Sequence, residues 1–234
     1  MPIASCNEDF KEVKKYFEET QNIIIPFESG NINSIKKIHE TAYGYLVLKS
    51  KLKINNHANI FLSEIQSDYL QLIPLVINGY EKLTMIVLRD ILENTLKFIY
   101  YFHHPIEFIL LEEKNKNYIF FEELIRYVCE HPNIKSHSDK LQLINRVKTK
   151  YSELSKYVHS KDSNYMHLIK YLKQIKFDKQ FTVKFLAELK EIHSTIITLL
   201  ILFLNEKYSS LSIPDRRFIL NSISKADKKY LISL

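Results

Sequence analysis

The stretch Thr84-Met85-Ile86-Val87-Leu88-Arg89-Asp90-Ile91-Leu92-Glu93-Asn94-Thr95-Leu96-Lys97-Phe98-Ile99-Tyr100 decides how the chain is read. A helix built from it is apolar nearly all round, and such a helix belongs in the middle of a bundle. Arg89 and Glu93 interrupt it four residues apart, so both side chains leave the same face. That face is otherwise a core stripe of Ile86, Leu96 and Tyr100. A buried charge is costly unless it is paired. The two residues therefore either neutralise each other or line a site.

The bulk composition supports this frame. The 234 residues are long enough for one sizeable core, and 46% hydrophobic with 26% charged residues is the balance of a globular protein. With only 3 Gly and 6 Pro there is little from which to build hairpins or phosphate-cradling loops, so helices are expected throughout. Cys6 and Cys129 have no CxxC neighbour and no histidines at zinc-ligand spacing, which fits a reduced, cytoplasmic setting and predicts no metal and no cofactor. Glu8, Asp9, Lys11 and Glu12 break any early apolar run, and Thr195 to Leu204 is far short of the ~20 residues a bilayer span needs. No membrane partner is expected. Between Lys140 and Lys190, 12 Lys/Arg face 4 Asp/Glu, so the net charge of +6 is concentrated there. A stripe of this kind, including Arg146, Lys148 and Lys150, suits a polyanion such as RNA; it also suits a plain lysine-rich solvated surface.

Periodicity divides the chain into an N-terminal extension (1–56) packed on the rest, a main body (57–210) and a C-terminal helical tail (211–234). In the extension, Phe10, Val13 and Phe17 share a helical face, Ile23 to Phe27 reads as extended, and Asn33 or Ser34 caps a helix to about Leu48. The body opens with a helix over Asn59 to Asn78, kinked near Pro74 and broken or bent at Gly79. The central helix follows and ends near His103-His104-Pro105. Ile106 to Leu111 and Phe120 to Cys129 give one or two shorter helices, stopped by His131-Pro132-Asn133. Ser138 or Asp139 is expected to cap a helix from Lys140 to about Ser160, with a further segment at Tyr165 to Ile175 and a long helix from Phe181 to Tyr208. Asp215-Arg216-Arg217 reads as a helix start with solvated arginines. The fold class is all-α: an up-and-down bundle of four to five long helices with helical extensions at both ends.

Chemistry concentrates in Tyr151-Ser152-Glu153-Leu154-Ser155-Lys156-Tyr157-Val158-His159-Ser160. Tyr151, Ser155 and His159 recur every four residues and form one polar ribbon. A histidine at a helix C-terminus is favoured as the imidazolium and can move protons at a phosphate ester; the fork of Arg89 can hold the phosphate. The bland alternative is a C-capping histidine with two surface serines. His137, His167 and His193 stand alone and suit surface or core roles.

The two segments R-D-I-L-E-N-T-L-K-F-I-Y-Y and Y-S-E-L-S-K-Y-V-H-S resemble the HEPN superfamily (higher eukaryote and prokaryote nucleotide-binding domains), in a poorly characterised branch with an R-x-x-x-E helix followed by a Y-x-x-L-S-x-x-x-H helix. The resemblance covers roughly residues 58–206. It implies an all-α bundle that often dimerises and, in many members, a metal-independent endoribonuclease acting as a toxin or antiviral effector on tRNA or mRNA, alongside a neighbouring defence-system or antitoxin protein. His159, Arg89 and Glu93 would be catalytic, with Tyr151, Ser155 and Lys156 in support and Arg146, Lys148 and Lys150 guiding RNA. The superfamily's usual motif is an Arg, four to six residues, then His. Counting back from His159, its arginine would stand at Leu154, Glu153 or Ser152, none of them basic. The literal spacing occurs instead at Arg126 and His131. The same departure is compatible with a non-catalytic binding or partner-sensing subunit.

Overall fold

A computed structural model describes residues 5–113, 119–166 and 168–233, and the described residues form helices and loops with no strand. Twelve α-helices follow in order among them: α1 (Cys6–Lys15), α2 (Ile32–Leu52), α3 (Asn59–Ile77), α4 (Glu81–Tyr101), α5 (Pro105–Glu112), α6 (Phe121–Glu130), α7 (Pro132–Leu141), α8 (Leu143–Val158), α9 (Lys179–Phe203), α10 (Asn205–Ser209), α11 (Ile213–Asn221) and α12 (Lys225–Ile232). Five of them are long: α2, α3, α4, α8 and α9. The chain is an all-α bundle.

The centre is α4, as its sequence requires. It packs on α3, α8, α6 and α9, and its Leu88, Ile91, Leu92, Leu96 and Ile99 are fully enclosed. Next to it, α9 buries an unbroken run from Ile192 to Phe203, apolar residues mixed with His193, Ser194, Thr195 and Thr198. These polar groups need partners inside the bundle. Tyr69 of α3 donates its hydroxyl to His193 Nδ1 at 2.8 Å, and His193 Nε2 faces Ser222 Oγ at 3.1 Å, tying α3, α9 and the end of α11 together. Burial alone pushes the His193 imidazole down to about 3, so it stays neutral.

By length and composition α3 could cross a membrane, and among the described helices it alone could. Here it is buried along one side against α4 and α2, through Leu62, Ile65, Tyr69, Leu72 and Val76. It runs on through Pro74 to Ile77. Gly79 then makes the turn into α4 with a φ of +77°, and a Cβ placed there would come within 1.9 Å of the Lys176 carbonyl oxygen. The position thus needs glycine both for its dihedral and because another stretch of backbone lies on it.

The expected N-terminal extension contains α2, which is no outer layer. Ile35, Ile38, Tyr45 and Leu48 are buried, and it packs on α3, α9 and α11. α6 ends at His131, as expected, and Pro132 then opens a further helix, α7, where its missing N–H costs nothing. Two other expectations for the middle of the chain are corrected. Ser138 and Asp139 lie inside α7, and α8 begins after Gln142, whose φ of +52° breaks the chain between the two helices. Among its described residues, Tyr165 to Ile175 is not helical beyond the short 3-10 turns Ser163–Tyr165 and Leu172–Gln174. Its apolar residues have no core to face: Leu168 is 80% and Leu172 85% exposed. His167 lies outside the described residues.

Candidate functional site

Arg89 leaves α4 toward α8 and is gripped there. Its Nε donates to Ser155 Oγ at 3.1 Å, one terminal nitrogen donates to the Tyr151 hydroxyl and pairs with Glu93 Oε2 at 2.9 Å, and the other reaches Asp90 Oδ1 at 3.2 Å. The four-residue spacings foreseen on both helices, Arg89 to Glu93 and Tyr151 to Ser155, therefore meet face to face. Tyr151 also donates to Glu93 Oε2 at 3.3 Å, and Lys97, one turn further along α4, holds Glu93 Oε1 at 2.8 Å. Burial pushes the Glu93 carboxyl up, but Lys97, Arg89 and the Tyr151 hydroxyl outweigh it and hold it below its ordinary value. The Arg89 side chain is only 16% exposed and that of Glu93 8%.

Two parts of this cluster escaped the sequence reading. Phe121, at the start of α6, stacks on Tyr151 with ring centres 3.5 Å apart, and the Arg89 guanidinium stands 4.6 Å from the centre of that same ring. Nothing local in the sequence announces this, because Phe121 belongs to a different helix. Lys97 was legible, since it repeats the spacing of Arg89 and Glu93 once more. Behind the cluster, Asp68 of α3 is buried with one carboxylate oxygen unpartnered. Burial, aided by Glu64 and Asp90, pushes its carboxyl up to about 7.

His159 sits elsewhere. It is the C-cap of α8, exposed, with its backbone N–H closing on the Ser155 carbonyl. Lys82 reaches Ser160 at 2.7 Å while Arg89 meets Ser155 and Tyr151, so α4 and α8 run antiparallel and His159 lies beyond the cluster toward Lys82. Lys156 lies over the Tyr165 ring at 5.4 Å. A cleft of about 390 Å³ opens at this end, with Lys82, Tyr157, Tyr165 and Lys184 on its walls.

The other candidates are also parted by the fold. Arg126 is 77% exposed on α6 with Glu123 at 3.8 Å. Five residues on, His131 turns inward, its ring against Phe203 and stacked on His103, with a buried, unpartnered Nδ1. Burial first, and the neighbouring His103 second, push its imidazole down. Of the three expected RNA-guiding cations, Arg146 makes a two-pronged pair with Asp227 at 2.9 and 3.0 Å, and Lys150 lies between Glu188, Glu191 and Glu153 at 2.8, 2.9 and 3.3 Å. Lys148 is exposed. His137 bonds the Tyr230 hydroxyl at 2.8 Å. Among the described residues no three His, Cys, Asp or Glu side chains are grouped to hold a metal, and both cysteines are free thiols.

No protein-family model matches the chain, and no curated protein and no solved structure matches it.

Proposed function

We propose that the chain is a HEPN-like binding module in which Arg89 clamps α4 to α8, and that it works by holding a protein partner. One observation carries the reading: every nitrogen of Arg89 already meets an acceptor of the chain itself, in a side chain 16% exposed. A guanidinium so engaged would have to surrender charge-assisted bonds before it could take a phosphate. Two of the three cations expected to guide RNA tell the same way, since Arg146 and Lys150 are answered by carboxylates. The partner surface is the connector before α9, where Leu168, Tyr171 and Leu172 are 80%, 65% and 85% exposed. Apolar side chains this open and this close together mark contact surfaces. The partner is a second copy of the chain, as the resemblance implies. Sedimentation of the purified protein is expected to give a dimer, and the Leu168→Ser, Leu172→Ser variant a monomer with an unchanged melting temperature. A wild-type monomer would remove the assigned partner.

The endoribonuclease reading retains one observation of its own: His159 is exposed at the end of α8, two residues beyond Tyr157, which lines a cleft with Lys82, Lys184, Glu81 and Asp178. There the RNA's own 2′-hydroxyl would attack the adjacent phosphorus and expel the 5′-oxygen, leaving a 2′,3′-cyclic phosphate, with His159 moving the proton and no metal required. Incubation with RNA in EDTA at pH 6 to 8 separates the readings. The binding module leaves RNA intact, whereas cleavage by wild type that His159→Ala abolishes would establish the nuclease.

A further inference from the structure

The tail helices α11 and α12 do not close fully on the end of α9 and on α10. Between them lies a cleft of about 740 Å³, within the size range of small-molecule sites. Its walls are apolar, with Leu202 buried at the floor, Leu220 and Leu231 half-buried on the sides, and Ile213 and Ile232 exposed at the rim by 73% and 64%. Its charged lining is of one sign. Arg216, Arg217 and Lys228 contribute, and no carboxylate does among the described residues.

The two acids on the tail helices are used elsewhere. α11 and α12 hold Asp215 and Asp227. Asp215 is taken by Lys51 at 3.1 Å and by Ser212 at 2.7 Å. Asp227 is taken by Arg146 and by the Ser194 hydroxyl. Lys228 finds only the neutral Asn221 amide oxygen, at 2.6 Å.

Two donors in the cleft wall are left without an acceptor. Tyr208 is 8% exposed with an unpartnered hydroxyl, and Arg216 Nε is likewise buried and unpartnered. Burial raises the Tyr208 phenol and the Arg216 charge opposes that rise, so the two groups stand within electrostatic reach of each other. A buried donor without an acceptor is destabilising, so two on residues of one cleft ask for an explanation. A carboxylate entering between these residues would supply the acceptors they lack, and Leu202, Leu220 and Leu231 line the same cleft for an aliphatic chain.

We infer that the cleft between α9–α10 and α11–α12 binds an aliphatic carboxylate, a fatty acid, with its head group on Arg216 and Tyr208 and its chain along Leu202, Leu220 and Leu231. The site shares no residue with the Arg89 cluster and does not depend on the function proposed above.

Calorimetric titration of the full chain with dodecanoate below its micelle threshold tests this, with dodecanol as the uncharged comparison. Expected is saturable one-to-one binding, with dodecanol weaker by ~10-fold or more, as the loss of a charge-assisted contact implies. Arg216→Gln should weaken dodecanoate by at least ~10-fold and bring it level with dodecanol. Tyr208→Phe removes only a hydroxyl that has no partner, so it should fold as wild type and bind several-fold more weakly; it decides the matter if Arg216→Gln does not fold. Absence of saturable binding, equal affinity for acid and alcohol, or unchanged binding by Tyr208→Phe together with a folded Arg216→Gln would overturn the inference.

Discussion

The α8 helix and the tail helices α11 and α12 are both rich in cations, and the two regions treat them in opposite ways. Arg146 and Lys150 on α8 are each matched by carboxylates from distant helices, as Arg89 of α4 is matched by its own Asp90 and Glu93 with hydroxyls from α8. Arg216, Arg217 and Lys228 face a cleft without carboxylates. By charge along the sequence, the first region was the candidate for a polyanion and the second merely a solvated helix start. The difference teaches that a cation's availability depends on where its compensating acid folds, which neither net charge nor local spacing records.

Four expected outcomes would break or sharpen that contrast. The largest concerns Arg89→Ala, which takes from buried Glu93 its guanidinium partner. It is expected to cost ~3–5 kcal/mol in urea unfolding, while a loss below 1 would mean that the cluster is no clamp. Arg146→Ala should follow at roughly 3 kcal/mol, since Asp227, 3% exposed, would keep only neutral hydrogen bonds.

Asp68→Asn should act the other way and stabilise. The folded carboxyl titrates near 7 because it is buried beside Glu64 and Asp90, against an unfolded value of about 3.9. As pH rises from about 4 to about 7 the unfolded chain has lost this proton while the folded chain still holds it, so wild type loses stability across that window. The variant should gain ~1–2 kcal/mol at pH 8 and nothing below pH 4. A melting-temperature difference that does not grow with pH would refute it. His193 supplies the opposite slope, because its folded value of about 3 lies below the ordinary 6.5 and stability is lost as pH falls through that interval. The smallest effect belongs to Arg217→Ala. An exposed cation without a carboxylate partner should change stability by less than ~0.5 kcal/mol, and a larger loss would show that the cleft cations are structural after all.

What could be read in advance follows the range of the interaction. The 3.6-residue period located α2, α3 and α4 because their faces are long, and Gly79 marked the turn between two of them. The same period paired Arg89 with Glu93 and Tyr151 with Ser155, which is why the cluster was legible in outline. It missed α7, which Pro132 opens directly after α6 has ended, and it missed Gln142, whose left-handed backbone breaks the chain without a glycine to announce it. At Tyr165 to Ile175 the apolar spacing exists but no neighbouring helix receives it. The partners of Arg146 and Lys150 stand 81 and 38 residues away, beyond any local rule. His159 fell outside the cluster because it stands one turn beyond Ser155, at the very end of α8.

The glycine at 79 has a reach that its size conceals. Backbone from Lys176 rests where a side chain would otherwise be, so the hairpin corner is a seat for the connector that carries Leu168, Tyr171 and Leu172. Even a methyl group added there would lift the connector from its bearing surface. A hand far along the chain is thus held out at a fixed place by an atom that is missing.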